Sequence, residues 1–197
     1  MIRVTPQPEP ENFDRDVRQK GRQKLEKLQI DATSPLPPKT KLPDLWRRVA
    51  SELRERYRFC AYTNIECPPC EGDVDHFKPK SRYPALAYEW SNYRLALPAI
   101  NSRKRDYEDV LDPFEIKNTW FELETLNGFV QPSPKTPKAI QAKILATIER
   151  LQLNDPRYCN NRLKFVDAYY RKEITAQYLK ENAPFIYYAL RRQKLLF

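Results

Sequence analysis

The sequence predicts an α+β fold, a mainly helical shell around one small unit of two strands and a helix. Three observations predict it. Between Asp73 and Lys104 two short apolar runs, the first stopped by Pro79 and the second ending at Pro98, precede a basic helical stretch. Apolar residues recur at helical spacing near 14–28, 44–58, 137–153 and 159–180. Eighteen prolines against three glycines mean rigid connections with few hinges, and 197 residues at 41% hydrophobic are enough for one sizeable core. The expected organisation is a single domain over 1–197: an arm and helices over 1–58, the small unit over 59–106, a loop and hairpin over 107–136, and helices over 137–197.

Residues 1–11, with Pro6, Pro8 and Pro10, read as an extended arm. Asn12 or Asp14 can cap a helix running to about Leu28, with Val17, Leu25 and Leu28 as its apolar stripe. After a proline-rich connector over 31–43, Asp44 can cap a second helix whose face carries Leu45, Val49, Leu53 and Tyr57. Val74 and Phe77 are the core-facing residues of a first strand, and Tyr93 to Leu97 form a second. Pro98 suits the first turn of a helix through Asn101 and Lys104. The acidic segment 106–116 reads as a solvated loop that offsets neighbouring arginines. Asn118 to Val130 suggests a hairpin turning at Asn127-Gly128. Ile140, Ile144, Ile148 and Leu151 mark an amphipathic helix stopped by Asn154-Asp155-Pro156. A further helix is expected from Cys159 to Lys180, with Leu163, Val166, Tyr170, Ile174 and Tyr178 on one side, and Pro184 opens a last one.

The balance of 35 basic against 26 acidic residues, net +9, points to a polyanionic partner, most simply DNA, with RNA equally allowed by composition. Between His76 and Arg105 there are seven basic residues and one acidic. No stretch approaches a membrane span and the N-terminus lacks the apolar run of a signal peptide, so a cytoplasmic protein without disulfides is expected.

The segment VDHFKPKSRYPALAYEWSNYRLALPAINSRKR (74–105) carries the chemistry. It contains the chain's one histidine, His76, directly after Asp75, with Asn92 and Asn101 downstream. Neighbours on a strand project to opposite faces unless a bulge re-aims one. Cleaving a phosphodiester requires water to be deprotonated and charge on the leaving oxygen to be neutralised, tasks suited to a neutral imidazole and one divalent ion. VDHFKPKS, LAYEWSNYRLA and NSRK together resemble the HNH endonuclease family, in the variant whose third motif residue is Asn. PQPEPENFDRDVRQKG, DVLDPF and ATIERLQLNDP resemble a bacterial subfamily found in defence loci beside an ATPase, the Septu type. The resemblance implies a ββα-metal finger in which His76 is the general base and Asn92 holds the loop that orients it. It also implies that Asp75 and Asn101 hold Mg2+ or Mn2+, and that an ATPase is a partner. Lys78, Lys80, Arg94, Arg103, Lys104 and Arg105 are close enough in sequence to line a phosphate-binding surface.

Many HNH fingers are stapled by zinc on two C-x-x-C pairs. Here Thr63 replaces the partner of Cys60, and Leu97 and Ile100 occupy the second pair, which argues for hydrophobic packing in place of zinc. Cys67-Pro-Pro-Cys70 keeps knuckle spacing, and with Cys60 could supply three thiolates; no fourth ligand is evident nearby, and Cys159 lies far off. Two other readings stand beside a DNA nuclease. One is a catalytically inactive nucleic-acid-binding or scaffold subunit of a defence complex, and the other is a nuclease directed at RNA.

Overall fold

The computed structural model of the chain describes residues 1–68 and 70–197. Their contacts form two compact units, where composition suggested one. The first comprises Pro6–Cys60 and Cys67–Glu108, and the second comprises Met1–Thr5, Ala61–Glu66 and Asp109–Phe197. The architecture is α+β, with helices and two separate two-stranded antiparallel sheets. No helix among the described residues is long and apolar enough to cross a membrane.

In the first unit a π-helical turn at Asp14–Arg18 continues into α1, Gln19–Lys27. Neither Asn12 nor Asp14 caps it through a side chain; Asp14 and Asp16 instead pair with Arg18 and Lys20 one turn on, at 2.8 and 3.0 Å. Phe13, Val17, Gly21 and Leu25 face the core, whereas Leu28, expected in the stripe, is exposed. The second helix starts as a 3-10 turn at Leu45–Val49 before α2, Ala50–Tyr57. Three residues per turn at its start puts Trp46 and Val49 on one face, continued by Leu53, so the buried stripe is not the one regular α spacing predicts. Asp44 makes no side-chain cap and pairs with Arg47 at 3.2 Å.

The small unit has the expected order. Strand β1, Asp73–His76, pairs antiparallel with β2, Tyr93–Ala96, in the register Asp73↔Ala96, Asp75↔Arg94 and His76↔Tyr93. Helix α3, Pro98–Lys104, follows with Pro98 in its first turn, where a missing N–H costs nothing. Val74, Tyr93, Leu95 and Ile100 are buried, and the rings of Trp90 and Tyr93 pack edge-on against Phe13 at 5.6 and 5.8 Å.

In the second unit β3, Phe121–Leu123, pairs with β4, Val130–Pro132, around a turn containing Gly128 at φ +72°. Helices α4 (Lys138–Leu151), α5 (Pro156–Tyr170), α6 (Ala176–Asn182) and α7 (Pro184–Arg192) complete it. The single helix expected over 159–180 is therefore two. Lys172 adopts a left-handed φ of +62°, and the Thr175 side chain accepts from the Tyr178 N–H to start α6. Helix α5 begins at Pro156, capped by Asp155, and buries Tyr158, Cys159, Arg162, Val166 and Tyr169. Tyr170 and Tyr178, expected inside, are exposed.

Candidate active site

His76 is the last residue of β1, at the edge of a cleft of about 1320 Å³ in the first unit. Asp73, Asp75, Lys80, Asn101 and Arg105 line the same cleft, as does Trp46. All four residues of β1 line the cleft, Asp75 and His76 among them.

The imidazole is fixed on several sides. Its Nε2 lies 2.9 Å from the carbonyl oxygen of Ala87, which also accepts the Tyr93 hydroxyl at 2.9 Å. A carbonyl can only accept, so Nε2 carries the hydrogen and Nδ1 holds the lone pair. Trp46 and Tyr93 meet the ring edge-on, at centroid distances of 4.7 and 5.2 Å. Burial, then the nearby ammonium of Lys80 and more weakly that of Lys104, push the His76 pKa down to about 3, against the opposing effect of the Ala87 hydrogen bond. The ring is neutral at ordinary pH.

Asn92 staples the loop that supplies this carbonyl. Its Oδ1 accepts the Lys78 N–H at 2.8 Å, and its Nδ2 donates to the carbonyls of Lys78 and Leu86, both at 3.0 Å. A turn asparagine with all three bonds inside one loop fits the holding role the resemblance implies.

On α3, Asn101 donates from Nδ2 to Asp73 Oδ2 at 3.0 Å. The amide therefore meets that carboxylate with its nitrogen, which turns its oxygen elsewhere. Asp73 and Asp75 are two residues apart on one strand and so share a face. Two carboxylates and one amide oxygen around a cleft are hard donors of the kind Mg2+ and Mn2+ take with water and phosphate completing the shell. The residues present fit such an ion. Among the described residues no three His, Cys, Asp or Glu side chains are grouped to hold a metal by themselves. Cys60, Cys67 and Cys159 are buried and Cys70 exposed, all as free thiols. Pro69 of the Cys67-Pro-Pro-Cys70 motif lies outside the described residues.

The six basic residues expected to contact phosphate do not share one surface. Lys104 is fully buried: its ammonium donates to the carbonyls of His76 and Phe77, both at 3.0 Å, and sits 3.4 Å from Asp75 Oδ1. Arg94 is 3% exposed and donates to the carbonyls of Ser91 and Tyr93 at 2.7 and 2.9 Å. Both cations also lie over the Phe77 ring, at 5.2 Å for Arg94 and 5.6 Å for Lys104. These two hold the strand end together and are withdrawn from any surface. Lys78 is half-exposed and faces Glu108 at 3.6 Å, while Arg103 is half-buried on α3. Only Lys80, over the Trp46 ring at 5.0 Å, and the exposed Arg105 also line the cleft. The acidic loop offsets its neighbours: Glu108 accepts from Arg82 at 2.6 Å and from the Tyr83 hydroxyl at 2.7 Å.

Three contributors were not legible in the motif. The Ala87 acceptor is a backbone group and leaves no side-chain signal. Trp46 is far off in sequence. Asp73 could have been found from its i, i+2 relation to Asp75 on a strand. No family model and no curated protein matches the chain.

Proposed function

We propose that the chain is a metal-dependent endonuclease of the HNH type that hydrolyses phosphodiester bonds of DNA, with 73–104 as its ββα finger. The observation that carries this reading is a neutral imidazole, tautomer set by Ala87, in a cleft it shares with Asp75 and Asn101. His76 takes the proton of the attacking water at Nδ1, and an anionic phosphate beside it opposes the lowering by Lys80. Asp75 and the Asn101 oxygen would hold Mg2+ or Mn2+, which supplies charge neutralisation at the leaving oxygen. Asn92 positions the ring through its loop. Lys80 and Arg105 contact phosphate without reading sequence. In this reading the protein acts in bacterial antiviral defence, and an ATPase subunit gates it.

Supercoiled plasmid with Mg2+ or Mn2+ tests the proposal. Wild-type protein nicks or linearises it, EDTA abolishes cleavage, and His76→Ala lowers the rate by on the order of a hundredfold to ten-thousandfold. Equal cleavage by His76→Ala overturns the assignment. Retardation of plasmid without cleavage, with an ATPase partner of the Septu type added, favours an inactive nucleic-acid-binding subunit.

A further inference from the structure

The second unit contains a cavity that the proposed chemistry does not use. It has a volume of about 170 Å³ and is walled by residues from 63–66, α5, the end of α6 and the start of α7. Arg162 on α5 is one wall, and it is 2% exposed. Of its five N–H groups, those on Nη1 face the Gly128 carbonyl at 2.9 Å and the Cys159 sulfur at 4.0 Å, and one on Nη2 donates to the Leu153 carbonyl at 2.8 Å. Nε has no acceptor among the described residues, and no carboxylate lies within ion-pairing distance of this guanidinium. A buried cation left without a counter-charge is unusual, since burial normally demands pairing. Burial lowers its pKa to about 10, so it remains charged at neutral pH.

The polar lining also includes Thr63, Asn64, Asn161, Asn182 and, on its exposed side, Glu66. Asn64 accepts the Ile2 N–H through Oδ1 at 2.9 Å, which leaves its Nδ2 donor uncommitted. The side chain of Asn161, half-buried beside Arg162, makes no hydrogen bond among the described residues. Phe165, Phe185 and Ile186 supply apolar lining.

We propose that this cavity binds a small organic oxyanion, its charged end held by Arg162 with Asn64 and Asn161 and its apolar body against Phe165, Phe185 and Ile186. A volume well below the roughly 300 Å³ at which drug-sized sites begin restricts the ligand to a few heavy atoms, such as a short aliphatic or aromatic carboxylate. The planar fork of an arginine matches a carboxylate or a phosphate, so the test separates the two.

Calorimetric titration and melting curves of the full chain are measured with benzoate, with its neutral counterpart benzamide, and with inorganic phosphate. Saturable binding of benzoate with a raised Tm, and no effect of benzamide, is the expected result. Asn161→Leu, which removes no side-chain hydrogen bond among the described residues, melts as wild type without ligand and binds benzoate at least about tenfold more weakly, the loss of one charge-assisted hydrogen bond. Arg162→Gln abolishes binding if it folds; if it does not, Asn161→Leu alone decides. Preference for inorganic phosphate identifies the oxyanion as phosphate rather than carboxylate and overturns the organic-ligand part. Benzamide binding as well as benzoate, no saturable binding of any probe, or unchanged affinity in Asn161→Leu overturns the site.

Discussion

At the scale of single residues, two ionisable side chains of the first unit, His76 and Lys104, are buried. His76 is neutral in the fold down to about pH 3, whereas in the unfolded chain it takes up a proton near its ordinary 6.5. Below 6.5 the unfolded state therefore binds the extra proton, so the stability contributed by the neutral ring is complete above that pH and is lost on acidification, at about 1.4 kcal/mol per unit. The buried Met1 amino group, whose pKa is likewise lowered by burial, adds slope of the same sign, so the histidine's share is read by urea denaturation between about pH 5 and 6.5 as the difference between wild type and His76→Gln, whose slope is lower. Lys104 is the second case. Its removal takes the ammonium away from the buried Asp75 and a donor from two carbonyls, so Lys104→Met destabilises by about 3–5 kcal/mol in the same assay. Asp73 acts differently, since its carboxylate sets the orientation of Asn101 from a partly exposed position. Asp73→Ala weakens Mn2+ binding by about 10–100-fold, read by calorimetry, while Tm changes little.

At the scale of elements, close approach outweighs propensity. Gly21 lies in the middle of α1, where alanine is ordinarily better by about 1 kcal/mol. A Cβ there would stand 2.2 Å from Cγ of Tyr88, whose ring is itself buried. Gly21→Ala consequently lowers stability, net, by about 1–3 kcal/mol, as overpacking does, and thermal melting checks the sign. The sequence is legible where a local signal governs the element. Pro98 starting α3, the apolar runs of β1 and β2, and Asn127-Gly128 in the hairpin turn each act through their own backbone. It is illegible where tertiary contacts decide. The break between α5 and α6 has no proline or glycine to announce it, and the inward face of α5 follows from the carbonyls of Gly128 and Leu153 that Arg162 reaches. The 3-10 start of α2 rotates its stripe for a reason spacing alone cannot supply. For the candidate site, the spacing of Asp75, His76, Asn92 and Asn101 pointed to a segment of which three residues line one cleft, but the acceptor that sets the tautomer is a main-chain oxygen.

At the scale of the whole molecule, net charge is a poor count of available charge. The +9 excess suggests a broad phosphate-binding surface, yet several of its cations are already committed. Arg94 and Lys104 serve carbonyls inside the first unit, Arg162 is buried in the second, and Arg18 and Arg82 are occupied by Glu9, Glu89 and Glu108. Nucleic-acid affinity depends on the phosphates actually neutralised, because each releases counterions and adds about 0.9 to the slope of log K against log salt. Lys80 and Arg105 line the cleft, as do Lys41, Arg47 and Arg54, and are in a position to do so. Fluorescence anisotropy with a labelled duplex at several salt concentrations therefore separates the two classes. Lys80→Ala and Arg105→Ala each reduce the slope by about one and weaken binding to all sequences alike. Arg94→Met leaves the slope of the folded fraction unchanged and lowers stability instead, since its removal takes a donor from two carbonyls, that of Tyr93 buried. A slope that falls equally for Arg94 and Lys80 would mean that the finger opens on nucleic acid and that the buried cations are part of the contact surface after all.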